Sequence, residues 1–201
     1  MGRLTMKRED IRLLIWVLVL ICVVPAAAIV RTFVVRRQAK HFLQDVVHIR
    51  VGESNLVELQ RLASKYRNYA VQDGPRCDQD HCSFDFYFGN RWLWRIRLAP
   101  GTRFGGGITA QRGKITEIDL ALQTGIAYTA RVVESAATPG STPFKVNGRR
   151  ATSGDVDYTI TIHLTSAASE LERQKAYNFN LACLTRLLGC NNARLLLPGA
   201  W

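Results

Sequence analysis

Between Leu13 and Val30 the chain reads LLIWVLVLICVVPAAAIV, eighteen consecutive residues without a charge. At 1.5 Å per residue a helix over this stretch reaches about 27 Å, and carried on to Val35 about 34 Å, against a hydrocarbon core of about 30 Å. One helix can span, and the rest of the chain has to be organised around it. Arg31 stands near its end, where a long side chain reaches the interface, and Pro25 kinks a membrane helix without forbidding it. The expected layout is a short tail over residues 1–12, a transmembrane anchor over 13–35 that contacts the lipid bilayer, and a single soluble domain over 36–201.

The same stretch also fits a cleaved signal peptide, with twelve apolar residues from Leu13 to Val24 followed by the small residues Ala26, Ala27 and Ala28. Cleavage there would leave IVRTFVV as an exposed apolar N-terminus, so the uncleaved anchor is the expectation. Cys22 follows Ile21, which is too large for a lipobox, and reads as a lipid-facing or core residue.

The formal net charge of +11 has the sign of a nucleic-acid binder until it is divided along the chain. Residues 1–40 hold eight basic and two acidic residues, +6, which leaves only +5 for the remaining 161. Most of the excess brackets the apolar stretch, where basic residues anchor at lipid headgroups, so nucleic acid is not an expected partner. The 47 % hydrophobic content excludes a disordered or collagen-like chain.

Charge does not orient the anchor, because Arg3, Lys7, Arg8 and Arg12 on one side are matched by Arg31, Arg36, Arg37 and Lys40 on the other. Cysteine spacing does. Cys77 and Cys82 form one local pair and Cys183 and Cys190 a second, an even count that points to two disulfides and an oxidising compartment outside the cytoplasmic membrane. Zinc is the competing use of four thiolates with His81, but the common knuckle spacing is missing.

In the soluble part, Phe42, Val46 and Ile49 continue the helical spacing past the anchor without a linker. Gly52 permits a turn, Ser54 is the expected N-cap of a second helix, and Leu59, Leu62, Ala63 and Tyr66 form its apolar stripe. In CSFDFYFGNRWLWRIRLAP, Phe84, Phe86 and Phe88 alternate with Ser83, Asp85 and Tyr87, and Trp92, Trp94, Ile96 and Leu98 alternate with Leu93, Arg95 and Arg97. This predicts a β-hairpin with a three-residue Gly89–Arg91 loop, Phe86 opposite Trp94, Asp85 beside Arg95, and Arg91, Arg95 and Arg97 on a basic outer face. Further strands are expected over 108–111, 114–122, 126–134 and 156–165, with a polar Pro/Gly-rich loop over 135–154. A final helix is expected from Ser169, where Ser169 and Glu172 fit a capping box, to Leu188, with Gly189 as its left-handed cap.

The order of elements in VGESNLVELQRLASKY, FYFGNRWLW and QRGKITEID, over about residues 48–122, resembles the small two-helix plus antiparallel-sheet modules of envelope lipoproteins in outer-membrane β-barrel assembly. The lipobox cysteine of those proteins has no counterpart here, and a C-terminal strand and helix are added. NLACLTRLLGCNNARLLLPGAW is similar to the tail of uncharacterised bacterial membrane-anchored proteins.

No motif announces a reaction, a cofactor or a metal site. His163 reads as a sheet-surface residue and His81 as a loop residue; Asp155 and Asp157 share a strand face without a partner site. Gly105, Gly106 and Gly107 lack the Gly-Lys-Ser/Thr and helix start of a phosphate loop and read as a flexible connection. Arg91, Arg95 and Arg97 among Trp92 and Trp94 have the composition of a base-stacking surface, although the alternation assigns the tryptophans to the core. The expected fold class is α+β, a transmembrane helix followed by an antiparallel sheet covered by helices. The expected role is a membrane-anchored extracytoplasmic binding or structural module of the bacterial cell envelope, touching an unknown envelope protein or polymer. Two alternatives are an envelope enzyme acting on a polar substrate and a cytoplasm-facing, zinc-dependent nucleic-acid binder.

Overall fold

One helix, α1 (Arg8–Val47), carries the chain from its apolar N-terminal stretch into the folded domain. The computed structural model describes residues 8–73, 77–78, 80–125, 128–138, 142–150 and 158–200. Among these, α1 is the one helix long and apolar enough to cross a membrane. Its two ends meet different surroundings. Leu14, Trp16, Leu18, Leu20, Ile21 and Val23 are exposed, whereas Ala39, Phe42, Leu43 and Val46, spaced three and four apart on one helical face, are buried in the core. The expected continuity of one helix from the apolar stretch into the domain therefore holds.

After α1 the chain turns at Gly52, whose φ of +85° is open to glycine at no steric cost. The next helix, α2 (Leu56–Lys65), is capped by Asn55, whose side chain accepts from the Glu58 amide, and not by Ser54. Ser54 instead accepts from the Arg50 amide and closes the turn. The stripe of Leu59, Leu62 and Ala63, extended by Tyr66, is buried as its spacing requires.

Seven strands form one sheet: β1 (Ala70–Asp73), β2 (His81–Gly89), β3 (Thr102–Gln111), β4 (Lys114–Thr124), β5 (Tyr128–Ser135), β6 (Phe144–Arg150) and β7 (Tyr158–Thr165), in the order β1-β2-β3-β4-β5-β7-β6. Every neighbouring pair is antiparallel except β5 and β7, which run parallel. The fold is thus α+β with a mixed sheet. One face, carrying Phe86, Phe88, Phe104, Ile108, Ile118, Leu120, Val132 and Ile162, is buried under the helices; the other carries polar side chains such as Asp119 and Arg131, which pair. Phe42 of α1 sits at the middle of the packing, its ring 4.6 Å from Phe86, 5.1 Å from Phe88 and 5.3 Å from Tyr66.

The predicted hairpin does not form. β2 pairs with β1 and β3, Phe86 lies opposite Ala70 and Gly106, and Asp85 opposite Val71 and Gly107. Arg91, Trp92, Leu93, Trp94 and Arg95 form a short helix, α3 (Arg91–Arg95), so Phe86 never faces Trp94. Two side chains explain the choice. Leu93, 1 % exposed, packs with Ala99 on Ala28 of α1, so a single leucine rather than two tryptophans is the apolar anchor. Asn90 is buried and closes the excursion, donating to the Pro100 carbonyl at 2.9 Å and accepting from the Thr102 amide at 2.8 Å.

The vacated place beside β2 is taken by the glycine run. Gly105, Gly106 and Gly107 lie inside β3, not in a flexible connection. A Cβ on Gly105 would strike the Phe86 carbonyl and one on Gly106 the Asp119 carbonyl, so only glycine lets three backbones come this close.

At the C-terminal end α4 (Glu170–Ala176) has the expected capping box of Ser169 and Glu172 but stops at Ala176. Tyr177 and Phe179 turn into the core, and the chain continues as a 3₁₀ turn (Leu181–Leu184) and a short helix, α5 (Ala193–Leu196). The expected helix to Leu188 is thereby cut short because burying those aromatics requires leaving helical geometry. Gly189 does adopt the left-handed conformation, φ +65°. Part of the loop read over 135–154 is strand β6; residues 139–141 and 151–154 of it lie outside the described residues, as do Asp155 and Asp157.

Candidate functional site

The short α3 stands against the side of α1, Leu93 and Ile96 facing Ala28 and Ile29. Its remaining side chains point away from the core. Trp92 is 42 % and Trp94 58 % exposed, and Arg91, Arg95 and Arg97 are exposed as well. The three arginines expected on an outer sheet face are therefore brought together on α3 and the turn after it, at the flank of the apolar helix.

Two adjoining hollows open between α1 and α3. The first, about 930 Å³, is lined by Arg31, Arg91, Trp92, Arg95 and Tyr69 among others. The second, about 340 Å³, shares Ala27, Arg31, Trp92 and Arg95 with it and continues along Val23, Val24 and Ile96. Two guanidiniums share one indole: Arg31 lies 5.1 Å and Arg95 5.8 Å from the Trp92 ring centroid. Such contacts are worth about 0.5–1 kcal/mol each at exposed sites, and they hold two like charges near one another. Among the described residues no carboxylate pairs with Arg31, Arg91, Arg95 or Arg97; the ion pairs join Arg50 to Glu170, Lys65 to Asp45, Arg131 to Asp119 and Arg173 to Glu134.

A second polar cluster is closed to solvent. Glu134 of β5 is 0 % exposed, with Arg173 and Tyr177 buried around it. The Arg173 guanidinium bonds one carboxylate oxygen and the Tyr177 hydroxyl donates to the other at 2.6 Å; Arg173 also donates to the Ile49 carbonyl at 2.7 Å and the Val47 carbonyl at 3.4 Å. The carboxyl is pushed up from its ordinary value because burial outweighs the hydroxyl and the guanidinium, and burial together with the adjacent carboxylate raises the Tyr177 hydroxyl. With no open face toward a substrate, this cluster ties the end of α1 to β5 and α4. Sequence reasoning missed it, although Glu134 continues the inward parity of Ala130 and Val132, a carboxylate where an apolar residue belongs.

The four cysteines behave as their spacing implies. Cys77 and Cys82 have Cα atoms 4.3 Å apart, Cys183 and Cys190 5.5 Å, and both pairs are at disulfide distance. Paired sulfurs are neither nucleophiles nor metal ligands. His41, His48, His81 and His163 are all exposed and scattered, and among the described residues no three His, Cys, Asp or Glu side chains converge on a metal position. The chain matches no known protein family, no curated protein and no solved structure.

Proposed function

We propose that this protein is a single-pass, membrane-anchored module of the bacterial cell envelope, whose extracytoplasmic domain binds or braces another envelope component at a set position on the membrane surface. The observation that carries this reading is the continuity of α1: one helix supplies both the exposed apolar stretch and, through Ala39, Phe42 and Val46, the centre of the domain core. A domain built on its own anchor has no linker to swing on. Cleavage after Ala28 would remove the surface that Leu93 and Ala99 cover, which favours an anchor that is retained. The two cysteine pairs favour the oxidising side of the membrane. The sequence resemblance to two-helix plus sheet modules of outer-membrane assembly lipoproteins supports an envelope protein or polymer as the partner.

The test has two parts. Protease added to spheroplasts should digest the domain and spare an N-terminal tag; digestion only after lysis would overturn the outward orientation. A strain lacking the protein should show an envelope defect that the full chain corrects and a released, signal-peptide-exported domain does not. Equal correction by the released domain would overturn the role of the anchor.

A further inference from the structure

Val57, Val71, Leu171 and Leu195 are exposed singly on separate elements, but five other exposed apolar residues of the domain gather at one end. Gly101 lies against the Trp94 ring, a side chain on Gly189 would collide with Pro100, and Arg36 of α1 donates to Thr185 at 3.2 Å, so the α3 excursion and the turn carrying Leu187 and Leu188 stand together beside α1. Leu188 is 93 % exposed; Trp92, Trp94, Leu98 and Leu187 are exposed with it. A folded domain in water rarely presents such a set side by side.

The level of this rim along α1 says what covers it. Counted from Leu13, eighteen residues of helix reach about 27 Å and end at Val30, and α3 packs on Ala28 and Ile29. If α1 spans, α3 stands where the hydrocarbon gives way to headgroups, the depth at which tryptophan side chains are enriched and arginine stems extend outward. The hollows beside α3 match that boundary in chemistry. The trough along Val23, Val24, Ala27 and Ile96 is apolar and opens into the hollow around Arg31, Arg91 and Arg95. An amphiphile with an anionic head has the same order of parts.

We infer that the α1–α3 groove is a binding site for an anionic phospholipid of the surrounding bilayer, its phosphate held by Arg31, Arg91 and Arg95 and one acyl chain lying in the Val23–Ile96 trough, with Trp92 and Trp94 in the interface. The inference rests on the membrane-anchored reading above. Uncompensated guanidiniums are the residues suited to a phosphate, because their planar donor forks match its oxygens. Leu93 fixes the height of the site, since it is the buried side chain of α3 that packs on Ala28, with Ala99 and Ile96 beside it.

The full chain in lipid nanodiscs tests this by tryptophan quenching. With Trp16→Phe and Trp201→Phe, emission reports Trp92 and Trp94; with Trp92→Phe, Trp94→Phe and Trp201→Phe it reports Trp16 on the apolar stretch. Phosphatidylglycerol brominated near the headgroup should quench Trp92 and Trp94 more than brominated phosphatidylcholine at the same mole fraction, corresponding to local enrichment on the order of tenfold. Arg31→Gln with Arg95→Gln should bring the two lipids to parity while Trp16 quenching stays unchanged. Equal quenching by both lipids in the wild type, or none at Trp92 and Trp94 while Trp16 is quenched, overturns the lipid site and leaves the anchor standing. An unquenched Trp16 overturns the anchor itself. Loss of the preference on adding inorganic phosphate would reassign the site to a soluble anion and overturn the lipid assignment.

Discussion

A buried carboxylate facing a buried guanidinium leaves a signature that few other pairs in this domain can produce. Arg173 serves Glu134 and the carbonyls of Val47 and Ile49 at once, so Arg173→Met strands a charge and unpairs backbone acceptors. The expected cost is about 3–5 kcal/mol in urea unfolding of the detergent-solubilised chain. Glu134→Gln should cost clearly less, because a neutral amide still accepts from Tyr177 and spares the desolvation that pushes the carboxyl up. The two variants also differ in pH dependence. A carboxyl with a raised folded-state pKa binds its proton more tightly folded than unfolded, so this contribution to stability is complete below the unfolded pKa and declines as pH rises from there through the folded one. The unfolding midpoint of the wild type relative to Glu134→Gln should fall with rising pH above the ordinary carboxylate range and be level below it; a rising difference would show that pairing with Arg173 outweighs burial. In the sequence this residue is legible as a break of parity in β5, but its partner is not, because Arg173 lies thirty-nine positions away on a helix whose buried face shows no apolar stripe.

Among the elements, α3 is where pattern and structure part. RWLWRIRL alternates like a strand, yet Leu93 and Ile96, three apart, also lie on one face of a helical turn, and Ala28 on α1 decides between the two. Alternation over so few residues cannot report a partner more than sixty positions earlier. The reversal is measurable: Leu93→Ala should cost about 2–5 kcal/mol, while Trp94→Ala, in the same detergent unfolding experiment, should stay within about 0.5 kcal/mol. The hairpin arrangement would demand the opposite order. The glycine run carries a second contrast. Gly106→Ala drives a methyl group into the Asp119 carbonyl across the β3–β4 ladder, and the expected loss is about 3 kcal/mol or more; Gly113→Ala, in the turn between the same strands, meets open space and should cost less, its φ of +75° being the one source of strain. Circular dichroism melts of the two variants compare them directly. By contrast the apolar stripe of α2, though not its Asn55 cap, and the start of α4 were legible, since an apolar stripe and a Ser–Glu capping box are local facts that no distant contact overrides.

At the scale of the whole molecule, the α+β layout, the long apolar helix running into the domain and the two cysteine pairs all follow from patterns that lie within one segment of chain. The position of β7 beside β5 does not, because a parallel pairing is decided by the strand β6 between them, and FKVNGRR is too polar to announce itself as an edge strand. Nonreducing peptide mapping should find Cys77 linked to Cys82 and Cys183 to Cys190; each small ring contributes about 2–2.5 kcal/mol in the chain-entropy account, so reduction should lower the melting temperature without unfolding the domain outright. The unbroken α1 has one more effect, on how such a gene is able to change length. Each residue added to a helix turns everything beyond it by about 100°. An insertion or deletion between Ala28 and Ala39 would swing Phe42 and Val46 out of the core while Leu93 still gripped Ala28, a conflict between two contacts that share one shaft. Before Ala28 the same change alters only how far the apolar end extends, so drift in the length of this protein's apolar stretch is confined to one side of a single alanine.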